Sequence, residues 1–150
     1  MRRGAAETVD NVKAQSPAEP QIVLTQVSAQ RDRVSEGWTI GWLLENKSAN
    51  PLHILAVRLP HGQFKSDERR FDPAIDLSCG ERRQFQTFVR CDEPAGLVTE
   101  NAFVILSVDW LGEQWRIFVR LRVMVTVDGR PETATELITT QRVGFSGVDS

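Results

Sequence analysis

The chain has 150 residues, of which 41% are hydrophobic and 25% are charged, and its formal net charge is −2. This length and composition fit one ordinary globular domain, with a core that needs no metal or disulfide. The weak negative charge argues against nucleic acid as a partner, and no run approaches the 18 apolar residues that a membrane-spanning helix needs.

The first 20 residues are poor in large hydrophobic side chains and include Pro17 and Pro20. They cannot bury enough surface to offset the entropy cost of ordering, so we predict a flexible N-terminal arm over residues 1–20. The start, Met1-Arg2-Arg3-Gly4, lacks the apolar stretch of an export signal. We therefore expect a cytoplasmic protein, and an exported fragment whose leader was removed stays open.

From Gln21 onward, short runs of aliphatic, β-branched and aromatic residues alternate with turn residues, which is typical of β-strands. The predicted strands of this first part are 22–27, 38–44, 52–59, 75–77 and 84–91. Period-two spacing places Trp38, Ile40, Trp42 and Leu44 on one face of their strand. Two polar segments, 65–72 and 92–101, are predicted to be loops.

The clearest pattern lies between Phe103 and Val127. Two predicted strands, 103–110 and 115–127, flank the hairpin loop Leu111-Gly112-Glu113-Gln114. Every odd position from Trp115 to Val127 is apolar, so these side chains are expected to face a core and the even positions to face outward. A turn at Asp128-Gly129 leads to a last predicted strand over 133–140.

About seven to eight short strands with regular turns predict an all-β antiparallel sandwich over residues 21–128, with 129–150 as an extra edge strand and a C-terminal tail. The chain resembles the bacterial immunoglobulin-like modules in its Asn-rich turn at 46–50, in Pro51-Leu52-His53-Ile54, and in the short strand that ends at Gly80-Glu81. The resemblance covers about residues 21–127 and departs from the family at Cys79, where Pro is usual. It implies an immunoglobulin-like fold and a binding, spacer or assembly role.

The sequence contains no recognisable catalytic pattern. Residues 144–148 miss the Gly-x-Ser-x-Gly motif by one position, and His53 and His61 lie at opposite ends of one predicted strand, where they cannot share a metal ion. Cys91 is expected to be a small apolar core residue, and Cys79 a reduced thiol, although a bridge between the two stays open for an exported protein. We therefore expect no enzyme activity, no catalytic residue, no metal and no cofactor.

Two groups of residues are candidate binding sites. The outward face of the strand 115–127 interleaves arginine with apolar side chains, unlike an ordinary solvated face, and forms a candidate partner surface of Arg116, Phe118, Arg120, Arg122 and Met124. Alternatively, neighbouring strands cover its two apolar members. Trp110 and Trp115 flank one turn, where they either cap the core or form a platform that stacks on a sugar ring.

These observations predict a non-enzymatic protein-binding or assembly module, as a component of a larger complex. The alternative function is a carbohydrate-binding sandwich that uses Trp110 and Trp115. The expected partner is a protein whose identity the sequence does not give, and a homo-oligomer stays open.

Overall fold

The computed structural model describes residues 19–32, 37–62, 64–91 and 93–144, and in these ranges it consists of strands and turns. The eight strands are β1 (Ile22–Asp32), β2 (Gly37–Asn46), β3 (Leu52–His61), β4 (Phe64–Leu77), β5 (Arg82–Val89), β6 (Val98–Trp110), β7 (Glu113–Val125) and β8 (Pro131–Arg142). The described residues contain no helix that could cross a membrane.

The strands form two antiparallel sheets. The three-stranded sheet has the order β1-β2-β5, and the five-stranded sheet has the order β4-β3-β6-β7-β8. Their inner faces share one hydrophobic core. The predicted all-β antiparallel sandwich is therefore confirmed, and β8 confirms the strand expected at 133–140.

The core contains the side chains that the period-two pattern assigns to it. Trp38, Ile40, Trp42 and Leu44 of β2 are all buried, as are the odd positions of β7 from Trp115 to Val125. The one exception is Val127, which is 95% exposed because β7 ends at Val125 and the chain turns away. Trp42 also buries a polar atom, and its indole N–H donates to Thr87 Oγ1 at 3.0 Å.

Asn46, the last residue of β2, is a fully buried polar residue. Its side-chain N–H groups donate to the carbonyl oxygens of Asn50 at 2.9 Å and of Leu77 at 3.1 Å, and its Oδ1 accepts the backbone N–H of Ser48 at 2.9 Å. Because Leu77 ends β4, this one amide joins an end of the three-stranded sheet to an end of the five-stranded sheet. Buried polar groups need such partners, so the Asn-rich turn is a junction of the fold.

The prediction of a loop at 65–72 was wrong, since these residues belong to the long strand β4. Most of their side chains are exposed, so no hydrophobic alternation marks the strand. Backbone pairing with β3 holds it instead, with Arg69 opposite Val57 and Arg70 opposite Ala56. The Arg69 guanidinium also donates a hydrogen bond to the carbonyl oxygen of Gln86 in β5, so β4 contacts both sheets.

Two further boundaries differ from the prediction. Strand β6 begins at Val98, inside the segment expected to be a loop, and the β6–β7 hairpin turns on two residues instead of four. Leu111 has φ 54° and Gly112 has φ 77°, the left-handed values that a two-residue hairpin turn requires. Of the predicted N-terminal arm, residues 1–18 lie outside the described residues, and so does the C-terminal tail from residue 145.

Hydrogen bonds between β1 and β8 close one side of the sandwich. The Gln26 side chain donates through Nε2 to the carbonyl oxygen of Pro131 at 3.0 Å and accepts the backbone N–H of Thr133 through Oε1 at 2.8 Å. Nearby, the Thr135 hydroxyl donates to the carbonyl oxygen of Leu24 at 3.0 Å. The first strand is therefore tied to the last by side chains.

Candidate binding surface

The predicted partner surface lies on the outer side of the five-stranded sheet, on a strand between two others. Strand β7 pairs with β6 on one edge and with β8 on the other, so its even-numbered side chains point away from the core. We call these residues the β7 row: Arg116, Phe118, Arg120, Arg122 and Met124. Successive members stand about 7 Å apart along the strand. The structure thus brings all five predicted residues together on one face.

An apolar patch surrounds the middle of the β7 row. Ile105 of β6 also points outward, yet it is only 7% exposed, with Arg58 and Phe118 as its cross-strand neighbours. Phe118 itself is half-buried, whereas Met124 is 47% exposed. The alternative in which neighbouring strands cover the apolar members therefore applies in part to Phe118 and does not apply to Met124.

The arginines of the β7 row differ in how their charge is balanced. Arg122 Nε lies 3.3 Å from Glu100 Oε2. Arg120 is half-buried, and its Nε is buried with no hydrogen-bond partner among the described residues. Arg116 is exposed and forms no ion pair with any residue that the structure describes. Leaving a buried donor without a partner costs free energy, so the surface holds unused hydrogen-bonding capacity.

A cavity of about 310 Å³ lies beside Arg116 on the same face. Its walls include Arg58 and Leu55 of β3, Glu68 and Arg70 of β4, and Ser107 of β6. Arg70 Nη1 lies 3.1 Å from Glu68 Oε2, so these two charges balance each other. The remaining arginines, Arg58 and Arg116, leave the cavity with an unbalanced positive charge.

Sequence reasoning missed Arg58 and Arg70 as members of this surface. The sequence does contain a signal for Arg58. It stands between the apolar Val57 and Leu59 in a predicted strand, and if these two side chains face the core, alternation turns Arg58 outward. For Arg70 there is no comparable signal, since its segment lacks the alternation of a half-buried strand. Only the register of β3 with β4 and β6 brings these arginines to the side of β7.

The paired tryptophans belong to the core. Trp110 is 2% exposed and Trp115 is 6% exposed, and their rings meet edge to face with centroids 6.0 Å apart. The Arg142 guanidinium lies over the Trp115 ring, 5.3 Å from its centroid. A sugar ring needs an exposed aromatic face to stack on, so this geometry does not favour the carbohydrate-binding alternative.

The histidines and cysteines are dispersed. His53 is exposed, because it lies on the outer side of β3, where its Nδ1 is 2.6 Å from Asp76 Oδ1. Cys79 is an exposed thiol and Cys91 a buried one, and they are not joined by a disulfide. Within the described ranges, no three His, Cys, Asp or Glu residues cluster as metal ligands would.

At the turn between β7 and β8, the Thr126 hydroxyl donates a hydrogen bond to the Asp128 carboxylate. This bond, with a smaller contribution from Arg130, holds the pKa of Asp128 below its ordinary value of 3.8. Asp128 is exposed and lies beyond the end of β7, outside the walls of the cavity, so it shapes the turn and not the binding surface.

Comparison of the chain with protein-family models and with curated proteins finds no match.

Proposed function

We propose that the protein is a non-enzymatic, immunoglobulin-like binding module that docks a protein partner on the outer face of its five-stranded sheet, as part of a larger complex. The two antiparallel sheets are compatible with the immunoglobulin-like modules that residues 21–127 resemble. Modules of this architecture serve many functions, so the fold alone does not support the proposal; the surface does.

The observation that carries the proposal is the composition of the β7 row. Arginine beside aromatic and methionine side chains is typical of the energetic centres of protein interfaces. Phe118 and Met124 supply apolar area, while Arg116 and Arg120 supply guanidinium groups whose charge the described residues do not balance. A strand face that served only to contact water would be polar throughout, without Phe118 and Met124 between the arginines.

The proposal is tested by affinity capture from a lysate of the source cells, with the full chain immobilised. The variant is Arg116→Glu combined with Met124→Ser, because both side chains are exposed and the fold does not need them. The matched control is Arg82→Glu, which reverses an exposed arginine on the outer face of the three-stranded sheet.

We expect at least one protein to be retained by the wild type and by Arg82→Glu, and to be lost with the double variant. Circular dichroism of each variant serves as the check that it is folded. If the double variant retains every protein that the wild type retains, the β7 row is not the docking surface and the proposal fails.

A further inference from the structure

The unbalanced charge on this face is concentrated at one cavity. Arg58 and Arg116 line it together, and neither forms an ion pair with another residue in the described part of the chain. The third arginine of the cavity, Arg70, is already neutralised by Glu68. A carboxylate that enters the cavity would therefore receive charge-assisted hydrogen bonds, which planar guanidinium groups make with two oxygens at once.

The spacing of the β7 row fits an extended chain. Arg116, Phe118 and Arg120 occupy alternate positions of one strand, about 7 Å apart. Alternate side chains of an extended partner segment have the same spacing. A segment that lies along β7 would therefore set one side chain over each of these residues. Arg122 needs no carboxylate from the partner, since Glu100 already forms an ion pair with it.

Other classes of occupant fit less well. A nucleic-acid strand carries a continuous row of phosphates, whereas Arg70 and Arg122 on this face are already neutralised by Glu68 and Glu100 and leave too few free guanidinium groups for such a row. A second copy of this chain would present the same surplus of arginine, and like charges brought together in an interface weaken it. Isolated carboxylates separated by an apolar side chain avoid both conflicts.

From these contacts we infer that the docked segment is an extended acidic peptide of the protein partner, with the pattern acidic–x–apolar–x–acidic. Its two acidic side chains bind Arg116, with Arg58, and Arg120, while the apolar side chain between them packs on Phe118. This inference rests on the proposed function and adds the chemistry of the partner to it.

The test uses synthetic peptides and the full chain, with binding followed by NMR as shifts of backbone amide signals. The probe is the end-capped peptide Ser-Glu-Ser-Leu-Ser-Glu-Ser. One control peptide has Gln in place of each Glu, and a second, Ser-Glu-Glu-Leu-Ser-Ser-Ser, has both acidic residues adjacent. An oligothymidylate of similar length tests the nucleic-acid alternative.

We expect the probe to shift amide signals of β7 and to bind at least about tenfold more tightly than either control peptide or the oligonucleotide. Arg116→Glu should weaken binding of the probe by at least about tenfold, and Arg82→Glu should leave it unchanged. Equal binding of the Gln peptide, stronger binding of the oligonucleotide, or no shift at about 1 mM probe overturns the inference.

The two proposals fail in distinguishable ways. If capture from lysate depends on the β7 row but the probe does not bind, the binding function stands and the acidic pattern is wrong. If capture does not depend on the β7 row, the docking surface itself is wrong, whatever the probe does.

Discussion

The outer faces of the two sheets arise from the same alternation but carry different chemistry. On the five-stranded sheet, the outward positions include Arg58, Arg116 and Arg120 around a half-buried Phe118. On the three-stranded sheet the corresponding side is mixed: exposed Thr25, Gln84 and Gln86 lie beside the exposed Val23 and beside Arg82, which stands opposite Glu45. Arg82 has an acidic cross-strand neighbour, whereas Arg58 and Arg116 share one cavity without an ion pair among the described residues, and like charges held close together favour a bound anion. Alternation decides which side chains face outward, and their chemistry decides what the face can do.

The largest effect should follow from placing a charge on the inner side of the strand that carries the β7 row. Leu121 is fully buried, so Leu121→Asp should destabilise the fold by more than about 4 kcal/mol and abolish cooperative thermal melting. The neighbouring Arg122→Ser, on the outer side, should change the free energy of unfolding by about 0.5 kcal/mol or less. A Leu121→Asp protein that still melts cooperatively would show that the two sides of β7 are assigned wrongly.

The next largest effect should come from the junction between the sheets. Asn46→Ala leaves the carbonyl oxygens of Leu77 and Asn50 without their donor and should cost about 2 kcal/mol, measured by urea denaturation. Asn50→Ala is the control, because it keeps the backbone carbonyl that Asn46 uses. Equal losses from the two variants would mean that turn propensity, and not the buried amide, stabilises this corner.

A smaller change in stability is expected from substitutions on the two outer faces, where stability and partner binding can be measured separately. Arg116→Glu and Gln84→Glu each place a carboxylate on an exposed strand position, one per sheet. Both should change the free energy of unfolding by about 0.5 kcal/mol or less, since exposed charges contribute little. Only Arg116→Glu should abolish capture of the partner. A large loss of stability in Arg116→Glu alone would assign that guanidinium a structural role.

The smallest expected effect is a dependence of stability on pH at low pH. Because the folded-state pKa of Asp128 is lowered, its contribution to stability is present above the ordinary pKa of 3.8 and is lost as the pH falls through the folded value. Asp128→Asn should therefore be slightly less stable than wild type at pH 7, and the difference should vanish in strong acid. Urea denaturation at several pH values measures it. Thr126→Val should lose the same pH-dependent part and also a pH-independent part, since Thr126 Oγ1 accepts the backbone N–H of Arg130 at 3.1 Å. A difference that persists in strong acid would contradict this assignment.

How much of the fold the sequence predicts depends on whether a strand has one buried side. Strand β7 does, so a single periodic pattern in its residues is enough to separate the inner side chains from the outer ones. Strand β4 has no continuous buried side, since most of its side chains are exposed, and it is held by backbone pairing with β3. Backbone pairing leaves no trace in the side-chain pattern, so the sequence does not reveal this strand. The cavity cannot be predicted from the sequence for another reason. Its arginines, Arg58, Arg70 and Arg116, come from three strands, and only the register of these strands places them side by side.

The side-chain amide of Gln26 has a consequence for how partners can attach. Its N–H group donates to the carbonyl oxygen of Pro131 and its oxygen accepts the N–H of Thr133. The peptide groups of a strand added beside β8 would make the same kind of hydrogen bonds. Unprotected edge strands recruit strands of other chains and lead to aggregation or to β-augmentation. With this stretch of edge already satisfied from within, an incoming chain gains nothing by extending the sheet there. The start of β8 is thereby closed to strand addition, even though β8 is an edge of the five-stranded sheet.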